Sequence, residues 1–330
     1  MVLLAVLLAV LLGIAGFAID YGNWMVSRRQ VQNAADAAAL AAAAQIPSGA
    51  STIQSSGAAQ YAENGRPGDA VTITRATDMT TNDSVQVTAT RTVSTWFTHV
   101  LGLSNVKVTA SARATIESFS QVKGNAMPWG VLQASYVPGQ QYSIYTKTTA
   151  NANNGALSLP YVSGTNCPDP NGANAYQNEI NGTLPECPIS VGELVDTKTG
   201  DNSGPTAQGL NARITTWKPV GAIVQMDPST GQVTSLLDPT NPQLVMIPVL
   251  VNPDGSNGWP SGSSSPMKVV GFAWFVITSC GDPAHPTYCG NSDGKQVNGV
   301  FVSMDSTPDT GTGGQWNPGS NTAYTIALTK

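Results

Sequence analysis

The chain has 330 residues, enough for two domains, since single hydrophobic cores rarely grow beyond roughly 250–300 residues. Only 11% of the residues are charged, against about 25% in an ordinary soluble domain, and Gly (33) and Pro (22) are frequent, as in an exported β-rich protein. The net charge of −5, with no basic cluster beyond Arg28-Arg29, argues against a nucleic-acid-binding protein.

The N-terminal segment 1–19 has no charged side chain and is rich in Leu, Val and Ala. A helix of this length spans about 28 Å, close to the roughly 30 Å hydrocarbon core of a bilayer, so we predict a transmembrane helix. The alternative is a cleaved secretory signal, because Gly16-Phe17-Ala18 offers small residues at a suitable spacing. We favour the uncleaved anchor, since the apolar run leads into a helical pattern without turn residues.

The helical pattern continues over residues 20–46, now amphipathic. Its apolar positions are spaced to line one face of a helix, namely Trp24, Val31, Ala35, Ala38 and Ala42. Arg28, Gln32 and Asp36 fall on another face. We expect the helix to end at Ile46, because Pro47 disfavours helical backbone before it and has no N–H. The first half is therefore predicted to lie in lipid and the second half against protein.

Asp20 is an unusual charge, because a carboxylate at a bilayer boundary is costly and needs a partner or water. Tyr21 and Trp24 lie just after it, and such aromatic residues are enriched at membrane–water interfaces. We predict that Asp20, Tyr21 and Trp24 mark the membrane boundary, with Asp20 in the headgroup region. A salt bridge from Asp20 to another subunit is the alternative.

Residues 16–43, GFAIDYGNWMVSRRQVQNAADAAALAAA, resemble the N-terminal Tad domain of the TadE/TadG-like family of the Flp (tight-adherence) pilus. The shared features are an apolar run ending in an aspartate, then two arginines and a Gln-Asn-Ala-Ala-Asp motif. The resemblance implies a pilin-like or assembly protein whose N-terminal helix contacts membrane lipid and other pilin-like or secretion-system subunits. The residues implied in helix packing and assembly are Arg28, Arg29, Gln32, Asn33 and Asp36.

Residues 47–117 are predicted to form a pilin-like α+β headpiece that completes the Tad domain. Its expected elements are a helix over 50–64 and strands around 71–75, 85–89 and 106–114. Trp96, Phe97, Val100 and Leu101 form a short apolar helical segment ending at Gly102, and we expect Trp96 and Phe97 to pack in the core. The segment 91–116 resembles the corresponding section of the family.

Residues 118–330 are predicted to form a β-rich exported domain with long loops, which makes the fold class α+β. Its short apolar runs, separated by Gly, Pro, Asn, Asp and Ser, are 142–145, 223–226, 244–251, 269–278, 299–302 and 323–328. The segments 127–132, 204–214 and 269–277 resemble the exported part of some Tad-domain proteins.

The four cysteines form two close pairs. Four cysteines allow three connectivities, and proximity favours Cys167–Cys187 and Cys280–Cys289. Disulfides would place this domain outside the cytosol. His285 lies between Cys280 and Cys289, but structural zinc needs four ligands at recognisable spacings, so we predict no metal and no other cofactor.

The orientation signals conflict. Arg28 and Arg29 favour a cytoplasmic location for the residues after the span, whereas the cysteines favour export. Long domains translocate largely regardless of such charges, so we expect a single-pass protein of the cell membrane or pilus with its C-terminal domain outside. The start has neither a basic leader nor a glutamate before Glu63, so either a leader lies upstream of Met1 or the chain is not processed.

No recognisable motif of an enzyme occurs in the sequence, neither a nucleophile elbow, a phosphate-binding loop nor a zinc-protease helix. We therefore predict a non-enzymatic, membrane-anchored pilin-like or assembly protein of an Flp/Tad-type pilus system. The alternative is an adhesin or carbohydrate-binding module that uses the Tad helix as its anchor and binds a host or matrix surface.

Overall fold

The computed structural model divides the chain into two compact units, unit 1 (Met1–Ile116 with Ile326–Lys330) and unit 2 (Glu117–Thr325). The residues that the structure describes are 2–79, 81–122, 126–134, 136–137, 139–146, 154–159, 172–182, 189–227, 233–256, 258–260, 264–281, 289, 296–302, 310–311 and 324–329.

Both helices and strands occur along these residues. The helices are α1 Val2–Ala43, α2 Ala50–Asn64, α3 Ala173–Asn181 and α4 Ser203–Arg213. The strands are β1 Ala70–Ala76, β2 Ser84–Ser94, β3 Asn105–Ser118, β4 Gln121–Val122, β5 Trp129–Leu132, β6 Gln141–Thr146, β7 Asn154–Ser158, β8 Ile189–Ser190, β9 Leu194–Thr197, β10 Val224–Met226, β11 Val233–Leu236, β12 Leu244–Val251, β13 Pro266–Cys280, β14 Gln296–Val302, β15 Thr310–Gly311 and β16 Tyr324–Thr329.

Helix α1 has two halves with different surroundings. The large apolar side chains described up to Ile19 are exposed, whereas Val31, Ala35, Ala38 and Ala42 are fully buried, as the helical spacing predicts. The helix was expected to reach Ile46 but ends at Ala43, because Pro47 has no N–H to donate to the Ala43 carbonyl. A short 3₁₀ helix, Ile46–Ser48, comes next.

Helix α2 spans the predicted residues and packs against the buried half of α1. Gly57 permits the close approach, since a β-carbon there would lie 3.0 Å from Cβ of Ala42 and 2.8 Å from Cδ1 of Ile73. The small side chains of α1 therefore serve packing within unit 1.

The sheet of unit 1 has the order β1-β2-β3-β16. The alternation of β2 and β3 predicted from the sequence is confirmed: Val85, Val87 and Ala89 are buried, and Val87 faces Ala112 in the antiparallel register. The C-terminal strand β16 lies beside β3. Nothing in the sequence signals this return, because strand pairing over more than 200 residues leaves no local pattern.

Unit 2 is β-dominated, as expected, and five of the six predicted apolar runs lie in or overlap its strands. The sixth run, 323–328, was expected in the β-rich domain but overlaps β16, which pairs in the sheet of unit 1. Its main sheet has the order β12-β5-β7-β9-β13-β14-β6, and an additional β12–β13 pairing closes β12, β5, β7, β9 and β13 into a ring. Two small sheets, β10-β11 and β15-β4-β8, complete the described strands.

The strand β13 is buried on both of its faces. Successive side chains of a strand point to opposite faces, so Ala273, Phe275 and Ile277 enter one core cluster, while Phe272, Trp274 and Val276 enter another. This explains why the run 269–277 is almost continuously apolar and does not alternate.

Helices α3 and α4 of unit 2 were not predicted from the sequence. The α4 segment contains Gly and Pro and has only a weak apolar periodicity. Gly209 lies so close to α3 that a β-carbon there would be 2.7 Å from Cβ of Ile180. Packing between the two helices, more than intrinsic helix propensity, therefore supports α4.

Candidate site at the predicted membrane boundary

Asp20 of α1 is enclosed by the connection from β2 to β3, residues 95–104, which we call the β2–β3 turn. Its Oδ1 accepts a hydrogen bond from the backbone N–H of Trp96 at 2.9 Å. Its Oδ2 accepts from the N–H of Phe97 at 3.0 Å and from the N–H and hydroxyl of Thr98 at 2.7 and 2.9 Å. Asp20 is only 2% exposed. Hydrogen bonds to a charged acceptor are roughly twice as strong as neutral ones, which compensates this burial.

The β2–β3 turn needs such an acceptor because a 3₁₀ helix, Thr98–Leu101, begins in it. The first N–H groups of a helix have no partner within the helix. Gly102 ends this helix with a φ of +86°, a backbone conformation that favours glycine. The N–H of Thr95 donates to the Ser104 carbonyl at 3.1 Å and closes the turn. Asp20 therefore joins α1 to a folded turn through backbone hydrogen bonds.

The structure gives Asp20 partners that neither sequence-based expectation named: amides and a hydroxyl of the same chain, 76 to 78 residues away. A local pattern could not reveal them. Tyr21 and Trp24, the other two boundary residues, form an aromatic group with Phe17, whose ring centroid lies 6.2 Å from each of theirs. The position of a membrane boundary at these residues remains a prediction.

The expectation that Trp96 and Phe97 pack in the core is wrong. Trp96 is 73% exposed and Phe97 49%, and the neighbouring Val100 and Leu103 are 87% and 54% exposed. The hydrogen bonds to Asp20 hold the backbone of the turn against α1, while these side chains remain exposed. The β2–β3 turn thus presents an apolar surface next to the exposed half of α1.

Unit 1 also contains a buried ion pair between Arg91 and Asp69, which was not predicted from the sequence. Arg91 donates from Nη2 to Asp69 at 2.7 Å and from Nη1 to Gln30 of α1 at 2.9 Å, while the Tyr61 hydroxyl donates to Asp69 at 2.9 Å. The Arg91 guanidinium holds the pKa of the Asp69 carboxyl below its usual value. Burial, with the bond to Asp69, raises the pKa of Tyr61 to about 12.

A signal for this pair was present in β2. Inward positions of the strand recur every second residue, at Val85, Val87, Ala89, Arg91 and Val93. An arginine in such a series needs a buried carboxylate partner. The identity of that partner, in the loop after α2, was not readable from the spacing.

The five residues implied in assembly fall into two groups. Gln32 donates to Asp36 at 2.7 Å and to the Ser111 carbonyl at 3.1 Å, so these two side chains are engaged within unit 1. Arg28, Arg29 and Asn33 are exposed. Their role in contacts between subunits remains a prediction.

Unit 2 contains the predicted disulfide between Cys280 and Cys289, with the Cα atoms 5.3 Å apart. Asn211 of α4 binds the backbone of Cys289 at both its N–H and its carbonyl. Cys167, Cys187 and His285 lie outside the described residues. Within the described ranges, no group of three His, Cys, Asp or Glu side chains is arranged to hold a metal ion.

Three buried polar side chains connect α3 and α4 to strand β5 of unit 2 through hydrogen bonds. The Trp129 indole N–H donates to the Tyr176 hydroxyl at 2.6 Å, and this hydroxyl lies 3.2 Å from that of Thr206. Glu179 lies one turn after Tyr176, and its Oε2 atom is buried without a hydrogen-bond partner. Burial raises the pKa of Glu179 to about 8, against the opposing effect of Lys198.

These features define a protein with an N-terminal helix like a membrane anchor, followed by α+β and β-rich parts. Among the described helices, the segment Val10–Ala43 of α1 meets the length and hydropathy of a membrane span. Residues 1–45 match the Tad family model, described as "Putative Flp pilus-assembly TadE/G-like".

The match confirms the family resemblance of the N-terminal helix and associates the chain with the Flp/Tad pilus. It ends at residue 45, so the likeness expected for 91–116 and for later segments remains a prediction. No curated protein and no solved structure gives a significant match.

Proposed function

We propose that this protein is a non-enzymatic, single-pass pilin-like or assembly subunit of an Flp/Tad-type pilus system, with unit 2 displayed outside the cytoplasm. The observation that carries the proposal is the change of surroundings along α1. The large apolar side chains that the structure describes are exposed up to Ile19, and one face is buried from Ser27 onward. Together with the Tad match over 1–45, this supports an anchor whose upper half forms part of a folded unit.

Export of unit 2 is supported by its disulfide. Cys280 and Cys289 are both buried, and disulfides form and persist in oxidising compartments outside the cytosol. Arg28 and Arg29 favour the opposite orientation, but long domains translocate largely regardless of such charges.

Assembly through α1 is supported by its exposed face. The face of α1 opposite α2 and the sheet carries Met25, Arg29 and Asn33, all exposed. A helix face that unit 1 does not cover is available to another helix of the same kind. We therefore propose that Arg28, Arg29 and Asn33 contact neighbouring subunits in the membrane or in the pilus.

The alternative function is a surface adhesin or carbohydrate-binding module that uses α1 only as its anchor. It is favoured by the size of unit 2, which has extensive hydrophobic core clusters of its own and carries most of the chain. In that case the pilus system would not require the protein.

Fractionation of sheared pili tests the two functions. We expect the protein in the sheared pili, or fewer pili after deletion of its gene. If sheared filaments lack the protein and the deletion strain has normal pili, the pilus role is wrong. Loss of surface binding in that strain would then support the adhesin.

Charge reversal on α1 tests the assembly face. Arg29→Glu should reduce piliation without lowering the amount of protein in the membrane. Arg66→Glu is the matched control, since Arg66 is also exposed but lies after α2. Equal effects of the two variants would count against an assembly role of Arg29.

The anchor is tested separately. Leu8→Arg should weaken membrane insertion by about 2.5–3.5 kcal/mol, the cost of an arginine at the centre of a span. Leu8→Ile preserves the apolar surface and is the control. Undiminished membrane association of Leu8→Arg would contradict a transmembrane position of this segment.

A further inference from the structure

We propose that the β2–β3 turn is a second membrane contact, which inserts its apolar side chains into the bilayer interface beside α1. This inference rests on the membrane anchoring proposed above and adds to it a specific site and a specific occupant, the lipid surface. Nothing in the Tad match covers these residues, since the match ends at residue 45.

The chemistry of the turn fits an interface. Trp96, Phe97, Val100 and Leu103 expose about half or more of their surface within a stretch of eight residues. Such clusters of exposed apolar side chains on a folded unit mark interaction sites. Tryptophan in particular is enriched where the hydrocarbon meets the headgroups, because its ring is apolar and its N–H is polar.

The depth of the turn is set by its contacts with α1. A β-carbon at Gly16 would lie 2.7 Å from Cβ of Phe97, and Asp20 binds the amides of Trp96 to Thr98. Gly16 and Asp20 are separated by about 6 Å along the helix axis. The turn is therefore held at the level of the last helical turn of the predicted span, and a bilayer around that span would meet it.

The backbone hydrogen bonds of the turn suit a medium that is poor in water. Unpaired N–H groups cost several kcal/mol in hydrocarbon, so a segment entering a bilayer must satisfy its own amides. Asp20 accepts from three consecutive amides, and the N–H groups of Val100, Gly102 and Leu103 donate to carbonyls within the turn. A buried carboxylate at this depth is thus explained as the acceptor for a membrane-contacting turn.

The lipid surface is favoured over a second copy of the chain as the occupant. The turn contacts α1 at Gly16 and Asp20, and Ile14 and Phe17, within two residues of Gly16 in the sequence, are also exposed. If residues 1–19 are surrounded by lipid, the same lipid reaches the turn without any further partner. A second copy would have to displace lipid from both surfaces.

The experiment places an environment-sensitive fluorophore at single engineered cysteines in the full chain reconstituted into phosphatidylcholine vesicles. Val100→Cys reports on the turn, and because its side chain is 87% exposed, the change does not disturb packing. Leu8→Cys reports on the proposed span. Met79→Cys is the matched control, an exposed apolar residue near the other end of β2, a strand about 33 Å long. Wild-type protein treated with the reagent gives the background from native cysteines.

We expect the label at Val100→Cys to show blue-shifted emission and quenching by nitroxide lipids, more strongly by a nitroxide near the headgroup than by one near the acyl end. The label at Leu8→Cys should be quenched more by the deeper nitroxide, and that at Met79→Cys by neither. A water-like signal at Val100→Cys with a deep signal at Leu8→Cys overturns the second contact and leaves the anchor intact.

Two other outcomes are also decisive. Water-like signals at both Val100→Cys and Leu8→Cys would overturn the membrane anchoring itself. A blue shift at Val100→Cys that lipid nitroxides do not quench, and that disappears when the protein is diluted in lipid, would overturn the lipid assignment in favour of a second copy of the chain.

Discussion

Gly16 of α1 and Phe97 of the β2–β3 turn approach each other so closely that a β-carbon at position 16 would lie 2.7 Å from Cβ and Cγ of Phe97. The contact joins a helix of membrane-spanning character to a turn far along the chain. It also gives Gly16 a structural role in addition to the cleavage-site interpretation that its small size suggested.

Gly16→Ala should loosen this contact. The added methyl group must displace the Phe97 ring, and overpacking of this kind costs about 1–3 kcal/mol. Hydrogen–deuterium exchange of residues 95–104 in detergent micelles should become faster. Gly13→Ala is the control, because nothing lies within 4 Å of a β-carbon there. Equal exchange in the two variants would show that the close approach of Gly16 and Phe97 has no energetic role.

Asp20→Ala should release the amides of Trp96, Phe97 and Thr98. Loss of a capping acceptor costs about 0.5–2 kcal/mol, so these amides should exchange faster, while Asp20→Asn keeps one carbonyl acceptor and should have a smaller effect. The amount of protein in the membrane should not change. Asp36→Asn, on the same helix but bonded to Gln32, should leave the turn unaffected. Unchanged exchange in Asp20→Ala would contradict the role of Asp20 as a cap.

Asp69→Asn should destabilise unit 1 strongly. Removing one partner of a buried ion pair costs about 3–5 kcal/mol, because the Arg91 charge stays buried. The pair Arg113–Asp78 is more exposed, so Asp78→Asn should lower the free energy of unfolding less than Asp69→Asn does, as measured by thermal unfolding. Equal losses of stability in Asp69→Asn and Asp78→Asn would show that burial does not make the Asp69–Arg91 pair more important than the exposed one.

The same pair predicts a pH dependence. The pKa of Asp69 is lowered in the folded state, so its stabilising contribution is present above the unfolded pKa of about 3.9 and is lost as the pH falls through the folded pKa. Asp69→Asn should remove this part of the acid dependence of unfolding. If wild type and Asp69→Asn lose stability equally as the pH falls, the lowered pKa of Asp69 does not contribute to the acid dependence of unfolding.

Glu179→Gln should stabilise unit 2 at neutral and alkaline pH. The folded pKa is raised from 4.5 to about 8, so the folded state retains a proton that the unfolded state has released. Stability therefore falls as the pH rises from 4.5 to about 8, by at most about 1.4 kcal/mol per pH unit.

Glu179→Gln should flatten this decline in unfolding experiments at pH 5 and pH 8. Asp196→Asn is the control for loss of one negative charge in unit 2, since Asp196 is exposed. A decline that persists in Glu179→Gln, or that disappears equally in Asp196→Asn, would contradict the raised pKa that burial gives the Glu179 carboxyl.

Elements with a clear local period were predicted well. Helix α2 spans the residues expected, and the buried stripe of α1 contains Val31, Ala35, Ala38 and Ala42. Of the short apolar runs predicted after residue 118, five lie in or overlap strands of unit 2, and the last overlaps β16 in the sheet of unit 1. Helix α4 was missed because its sequence carries only a weak apolar period and packing against α3 supports it.

Side-chain environments were predicted less well. Trp96 and Phe97 were expected in the core, since large aromatic residues are usually buried, but their backbone is held by Asp20 and their rings are exposed. Arg91 was overlooked, although its place in the alternation of β2 signalled that it is buried. In both cases the deciding partner lies outside the local segment.

The amino-acid sequence by itself determined a long N-terminal helix with an apolar first half and a one-sided second half, because helical periodicity and hydrophobicity are local properties. Only the tertiary structure decided that Asp20 caps the β2–β3 turn, that Arg91 pairs with Asp69 and that β16 joins the sheet of unit 1. Each of these depends on residues brought together by folding from distant parts of the chain, and the stabilising free energy comes from burial and hydrogen bonding at the point where they meet.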